Sequence, residues 1–350
     1  MYYKSQKIVN AWCHLPFDRV KVSSEGHLNF CCHMGTHFIG NVLEKPFEDI
    51  WFSDDAENIR DELRNGRLHH ICDTQECPIG YIPIEQRMNQ CQIRATGYPM
   101  HLELDLHGSH CNFGGKNPTP ETACIMCPRS RPDFHQHLEE HPDKTMEIVK
   151  RVKHIAPYLR EINVLGISEP FWKGKIFDVL EEFDLENNKY ISVWSTSNGS
   201  VFDADSRSRF AEIAKSSVLD FSIDAASPET FTKIRRQKSF HKVCENIKAW
   251  CDERPSASHV VNIHNNINLL NLHEVPEMVR LSKELGIDIL KLLPTHECGT
   301  QDLKGIAVNA ENAQAFHNAE VEAIRVGKEI GQRVSISRPL SLGYKVIKAN

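Results

Sequence analysis

From residue 100 onward the chain alternates between two hydrophobic periods, and this limits its fold more than any other feature. Residues 100–106, MHLELDL, switch between apolar and polar at every step, the period of a half-buried strand. Residues 143–159 then place Met146, Val149, Val152 and Ile155 at helical spacing, with Pro142 and Asp143 where a helix begins. The pair repeats: REINVLG (160–166) before GKIFDVLEEFD (174–184), and YISVWST (190–196) before DADSRSRFAEIAKS (203–216). VLDFSID (218–224) precedes SPETFTKIRR, where Ser227-Pro228 opens a helix; HVVNIHNNI (259–267) precedes EVPEMVRLSKELG. IDILKLLP (287–294) is the sixth strand, and a long helix over 309–331 ends at a glycine. Strands alternating with helices imply a parallel sheet joined by right-handed crossovers. Eight closed units need roughly 250 residues, and no GxGxxG follows the first strand to mark an open dinucleotide fold. The expectation is an α/β chain with a partial (β/α)6 TIM-type barrel, its ligands at the C-terminal ends of the strands.

Composition narrows the setting. The 350 residues carry 41 basic against 47 acidic side chains, a net charge of −6 with no long basic stripe, so a nucleic-acid backbone is not expected as partner. There is no apolar run of about eighteen residues and no secretory signal at the start, so neither membrane insertion nor export is expected. That places the chain in the reducing cytoplasm, where twelve cysteines point to metal rather than disulfides.

The cysteines fall into groups. Cys13, Cys31, Cys32, Cys72, Cys77 and Cys91 come first, and QIRATGYP then reads as a connector with a boundary near residue 95. Directly after the first barrel strand, Cys111, Cys124 and Cys127 have twelve and then two residues between them. Three thiolates leave one iron of a 4Fe–4S cluster open, where four would close it. A zinc site completed by His107 or His110 is the competing reading.

At this point the chain resembles the radical S-adenosylmethionine (SAM) enzymes, whose cluster motif usually reads C-x3-C-x2-C after the first barrel strand. Cys111-Asn112-Phe113 resembles its beginning and Cys124-Ile125-Met126-Cys127 its end, with GGKNPTPET inserted between as a loop able to bulge outward. LGISEP (165–170) resembles the family's Gly-Gly-Glu-Pro with Glu169-Pro170 kept, which implies a contact to the methionine amino group. STSNGS is similar to the family's Thr-Asn-Gly stretch, so Ser195, Ser197 and Asn198 are expected near the ribose. FSIDAASPETFTKIR resembles the fourth-strand segment, implying Ser222 and Asp224 at the site and Arg235 on the methionine carboxylate. His264, Asn266 and Asn268 end the fifth strand and are candidates for lining the adenine or the substrate.

The first hundred residues resemble the SPASM/Twitch module of radical SAM maturases. Cys13 precedes a hairpin turning at Ser-Ser-Glu-Gly, Gly26 and Cys31 give G-x4-C, and Ile-Gly-Asn and Ile-Trp follow before Cys72 and Cys77. The segment 38–66 reads as a short loop and one helix carrying Ile50, Trp51 and Leu63. The resemblance implies an auxiliary 4Fe–4S cluster on Cys13, Cys31, Cys72 and Cys77, with Cys32 as substitute for Cys31; a zinc ribbon is the alternative. Cys91 reads as a free thiol, Cys244 and Cys251 as packing on one helix face, and Cys298 as a thiol near the substrate.

The resemblance implies three segments: 1–95 for the auxiliary cluster, 96–300 for the radical SAM core, and 301–350 for a C-terminal helix and strand packing on it. It also implies reductive cleavage of SAM to a 5′-deoxyadenosyl radical that abstracts hydrogen from a peptide or small-molecule substrate. The low-potential electron would come from a donor such as flavodoxin or ferredoxin. The rival expectation is a non-catalytic binding protein with zinc in the cysteine sites.

Overall fold

The computed structural model describes residues 8–31, 34, 37–67, 69, 72, 84–94, 97–115, 117–295, 303 and 305–337. These form two compact units, each assembled from separate stretches of the chain. The first takes residues 1–107, 143–166 and 178–192, and the second takes 108–142, 167–177 and 193–350.

In the first unit, strands β1 (Ile8–Asn10) and β5 (Gln92–Arg94) form an antiparallel pair. Strands β2 (Arg19–Val22), β3 (His27–Asn29), β4 (Gly40–Asn41), β6 (His101–Leu106) and β7 (Glu161–Gly166) line up as β4-β3-β2-β6-β7. The hairpin β2/β3 is antiparallel and turns at Gly26, whose φ is +86°. A side chain at Gly26 would meet Asn41 Oδ1 at 2.6 Å, so the glycine of G-x4-C is a packing requirement. Strand β2 also runs parallel to β6, and β6 to β7. Leu102, Leu104 and Leu106 are buried in alternation, as the sequence period demands. Lys21 bridges Glu103 and Asp105 across the β2/β6 pair.

The single helix expected around Ile50 and Leu63 is two, Phe47–Trp51 and Asp54–Arg64. Ser53 divides them because its hydroxyl caps the second at Ala56 N–H. Buried Arg60 stacks on Trp51 at 4.3 Å and donates to the Pro16 and Trp51 carbonyls, locking the Ile-Trp segment in place.

In the second unit, β8 (Ser192–Ser197), β9 (Ser217–Phe221), β10 (His259–Ile267), β11 (Ile289–Pro294) and β12 (Val334–Ile336) are consecutive and all parallel. The C-terminal β12 thus joins the sheet beyond the sixth expected strand. Asp203 caps helix Ala204–Ile213, Ser227 caps Pro228–Arg235, and Gly286 at φ +81° ends Val275–Leu285. Phe171, Phe202, Phe210, Phe221 and Trp250 pack into one aromatic core, each contributing about 2–3 kcal/mol by burial. No helix among the described residues is long and apolar enough to cross a membrane.

Candidate functional site

The three cysteines after β6 all lie in the second unit. The insertion between the first two closes on itself. Gly114 and Gly115 both take left-handed φ, Pro118 is buried, and the Thr119 carbonyl receives the N–H groups of Thr122 and Ala123. The chain therefore returns Cys124 close to Cys111, and the two thiols influence one another electrostatically, as do Cys124 and Cys127. Ile125 N–H donates to the carbonyl of Ile234, tying the returning segment to the helix that carries Arg235. Cys127 starts a 3-10 turn, Pro128–Ser130, and Ser130 donates to its carbonyl through both N–H and hydroxyl.

Burial dominates the electrostatics of these thiols. It pushes Cys111 up to about 12 and Cys127 up to about 11, and raises Cys124 too. The guanidinium of Arg129 opposes the shift at all three, and Arg235 does so at Cys124 and Cys127. Arg235 sits 3.7 Å from Cys124 Sγ and is ion-paired with Asp224. Although burial opposes its charge, Asp224 and the thiols hold its proton more tightly than usual.

Glu169 is 1% exposed. Its Oε1 accepts from Ser197 Oγ at 2.7 Å and Phe171 N–H at 3.3 Å, and its Oε2 from Asn198 N–H at 2.6 Å. Burial still raises its carboxyl to about 7 against these donors. Its own N–H donates to the His110 carbonyl, which joins the Glu-Pro stretch to the residue before Cys111. A polar ring completes the connection. Asn198 Nδ2 donates to Asn112 Oδ1 at 2.9 Å, Asn112 Nδ2 to Ser200 Oγ at 2.8 Å, and Ser200 Oγ to Asn198 Oδ1 at 2.6 Å.

The structure therefore brings Glu169, Ser197 and Asn198 together beside the cysteine loop, and Asp224 and Arg235 beside Cys124. Ser222 is half-buried, with its N–H on the Ser197 carbonyl. Ser195 is fully buried and shares a face of β8 with Val193 and Ser197, opposite Trp194 and Thr196. Asp224 adopts φ +60°, held by Asn265 on its N–H and by the Asn266 N–H on its carboxylate. Asn268 is fully buried and accepts from Leu270 N–H, so it shapes the loop. Half-buried His264 lies in register with Lys291 and has its pKa lowered by burial.

Three contributors escaped the sequence reading. Arg129 follows the last cysteine by two positions and is 1% exposed. Asn112 is the ring member on the cysteine loop. Glu274 gathers Ala226 N–H, Ser227 Oγ and Thr230 Oγ1, fixing the start of the Arg235 helix.

In the first unit, burial pushes Cys13 up to about 12, and Cys31, Cys91 and Cys72 all add to the shift. Antiparallel pairing of β1 with β5 puts Ala11 N–H on the Cys91 carbonyl, so Cys91, read as a free thiol, is a neighbour of Cys13. Cys32, Cys77 and Cys298 lie outside the described residues. Cys244 and Cys251 are half-buried on helix Phe240–Glu253.

The thiol sets are of a donor type that either an iron–sulfur cluster or a zinc ion takes. Four-coordinate zinc with bonds near 2.3 Å needs sulfurs about 3.8 Å apart. No three His, Cys, Asp or Glu side chains among the described residues converge on one metal position. Cys124 is buried and Cys111 and Cys127 are half-buried, and thiols are the donor type that a 4Fe–4S cluster takes.

Comparison with known proteins separates the two thiol sets. The profile of the radical SAM superfamily matches residues 106–282, and that of an iron–sulfur cluster-binding domain, SPASM, matches residues 13–78. A GTP 3′,8-cyclase from Desulforamulus reducens is 28% identical over 144 residues, 40% of this chain and 42% of that protein. Native anSMEcpe with bound AdoMet and Cp18Cys peptide superposes with a TM-score of 0.51 at 17% identity, over 68% of this chain and 63% of its own. Streptococcus suis SuiB bound to precursor peptide SuiA gives 0.51 at 13% identity, over 95% and 73%. The chain thus spans under half of that curated relative and just under two thirds of anSMEcpe. Likeness at these identities shows the fold, an α/β arrangement with a mostly parallel sheet.

Proposed function

The chain belongs to the radical SAM superfamily and carries a SPASM domain at its N-terminus, and on that premise we propose that it is a peptide-modifying maturase. Its cofactors are a SAM-binding 4Fe–4S cluster, auxiliary iron–sulfur and SAM. When bound, they supply a reductively generated 5′-deoxyadenosyl radical that takes a hydrogen atom from the substrate.

In this reading Cys111, Cys124 and Cys127 hold the SAM-binding cluster, and Cys13, Cys31, Cys72 and Cys77 the auxiliary one. Glu169, Ser195, Ser197, Asn198, Ser222, Asp224 and Arg235 surround the SAM site. The observation that carries the assignment is the return of the twelve-residue loop between Cys111 and Cys124, which makes these two cysteines neighbours. Glu169 supplies a buried carboxylate for an ammonium group, and its ties to Ser197, Asn198 and the His110 carbonyl fix it beside the cysteine loop. The Asn112–Asn198–Ser200 ring orients the strand end for a ribose. The Asp224–Arg235 pair keeps a cation beside Cys124 while its net charge stays near zero.

Peptide is preferred over a small molecule because two of the solved structures of similar fold hold one. We assign residues 1–95 to the auxiliary domain, 96–300 to the core and 301–350 to the C-terminal helix and strand. The setting is the cytoplasm, with flavodoxin or ferredoxin as electron donor. Anaerobic reconstitution tests the metal assignment: about eight irons per chain and iron–sulfur charge-transfer absorption agree with two clusters of four. Zinc alone in the fully loaded protein overturns it.

A further inference from the structure

We propose that Arg129 is the counter-cation of the site formed by Cys111, Cys124 and Cys127, where its guanidinium offsets the thiolates' charge and raises the reduction potential of the cluster they hold. The inference rests on the cluster assignment made above.

Arg129 is among the largest fully buried side chains of the protein. Only its Nη2 is engaged, donating to the Gly115 carbonyl at 2.6 Å, while Nε and Nη1 have no hydrogen-bond partner. No carboxylate among the described residues pairs with it. A buried cation needs an anion nearby, since burial without one is heavily disfavoured. The other buried cation at the site, Arg235, is already matched by Asp224. Arg129 follows Cys127 by two positions and its Nη2 holds Gly115 in the loop between Cys111 and Cys124, so the unmatched positive charge sits among three groups that become anionic once they ligate iron.

The competing role is mechanical: the Gly115 contact pins the inserted loop. That contact uses one N–H of the five a guanidinium carries, and charge and geometry separate by experiment. When the cluster takes one electron from a low-potential donor, which is oxidised in the same step, a fixed cation beside it favours the reduced form. Removing the cation lowers the potential, whereas replacing it by another cation does not.

The test is an EPR-monitored redox titration of the anaerobically reconstituted full chain. It follows the reduced-cluster signal that SAM perturbs, with iron measured per chain, in wild type, Arg129→Met and Arg129→Lys. Expected is a midpoint in Arg129→Met lower by at least tenfold in the reduction equilibrium, about 59 mV for one electron, with Arg129→Lys near wild type. Loss of iron from Arg129→Met with retention in Arg129→Lys supports the same role. Wild-type midpoints in both variants overturn it, and so does equal loss of iron from both, which marks a role in loop geometry. A wild-type chain that is fully loaded but has no SAM-responsive signal fails at the cluster assignment itself, before either variant is compared.

Discussion

Gly166, the one glycine of LGISEP, yields a sharp prediction because the structure shows two separate reasons for it. Its φ of +109° is unfavourable for any residue with a Cβ, and a Cβ there would lie 2.7 Å from the Leu106 carbonyl oxygen and 2.8 Å from the Leu106 nitrogen. Those are backbone atoms of the neighbouring strand in the β6–β7 ladder, so neither can swing aside. Backbone strain of about 1–3 kcal/mol and overpacking of about 1–3 kcal/mol give about 4 kcal/mol for Gly166→Ala. Gly115 is the matched control, with φ +66° and nothing within 4 Å of the place a methyl group would take. Gly115→Ala meets only the left-handed penalty of about 1–2 kcal/mol, partly offset by about 0.4–1 kcal/mol from a stiffer unfolded chain. The unfolded-chain term is common to both variants and cancels, so they should differ by about 2–3 kcal/mol. Urea unfolding of the metal-free chain, followed by circular dichroism with equal slopes, reads the difference directly. Agreement between the two variants to within about 0.5 kcal/mol would refute the argument that close approach to β6 retains the glycine.

Other expectations concern the site itself. The Glu169 carboxyl, raised from 4.5 to about 7 by burial, stabilises the fold fully below pH 4.5 and loses that contribution as pH rises through about 7. The urea midpoint of Glu169→Gln should accordingly fall less than that of wild type between pH 5.5 and 8, and parallel curves would contradict the burial. Glu274→Ala leaves Ala226 N–H and two hydroxyls without their acceptor and should cost about 2–4 kcal/mol by the same unfolding measurement. Asn112→Ala breaks the ring on the cysteine loop, so equilibrium dialysis should find SAM binding weakened about tenfold, equivalent to 1.4 kcal/mol. Cys13→Ala should leave about four irons per chain and a SAM-responsive signal; a count unchanged from wild type would remove Cys13 from the auxiliary set.

Much of the second unit could be read from period alone. HVVNIHNNI and IDILKLLP became β10 and β11, whose buried positions recur at nearly every second residue, and Ser227-Pro228 capped its helix as its chemistry requires. The first unit was less legible because its contacts are non-local. The β2/β3 hairpin was visible in Ser-Ser-Glu-Gly, but nothing in RVKV told that β2 runs parallel to β6 and joins Lys21 to Glu103 and Asp105. Ser53 looked like one more polar helix residue until its hydroxyl was seen to cap Ala56. At the site, Glu169, Asn198 and Asp224 stood out because each ends a strand. Arg129 did not, since an arginine beside Pro128 reads as a solvated turn; its position two residues after the third cysteine was the available signal. Glu274 could not be found from spacing, because it caps a helix more than forty residues away.

The central claim is that three thiols near the end of β6 hold a cluster able to break the SAM sulfonium reductively. Chromatographic detection of 5′-deoxyadenosine after incubating the fully iron-loaded chain with SAM and dithionite tests it most directly. The account predicts release of that nucleoside by wild type and none from Cys124→Ala. Fully loaded wild-type protein that returns its SAM intact would contradict it.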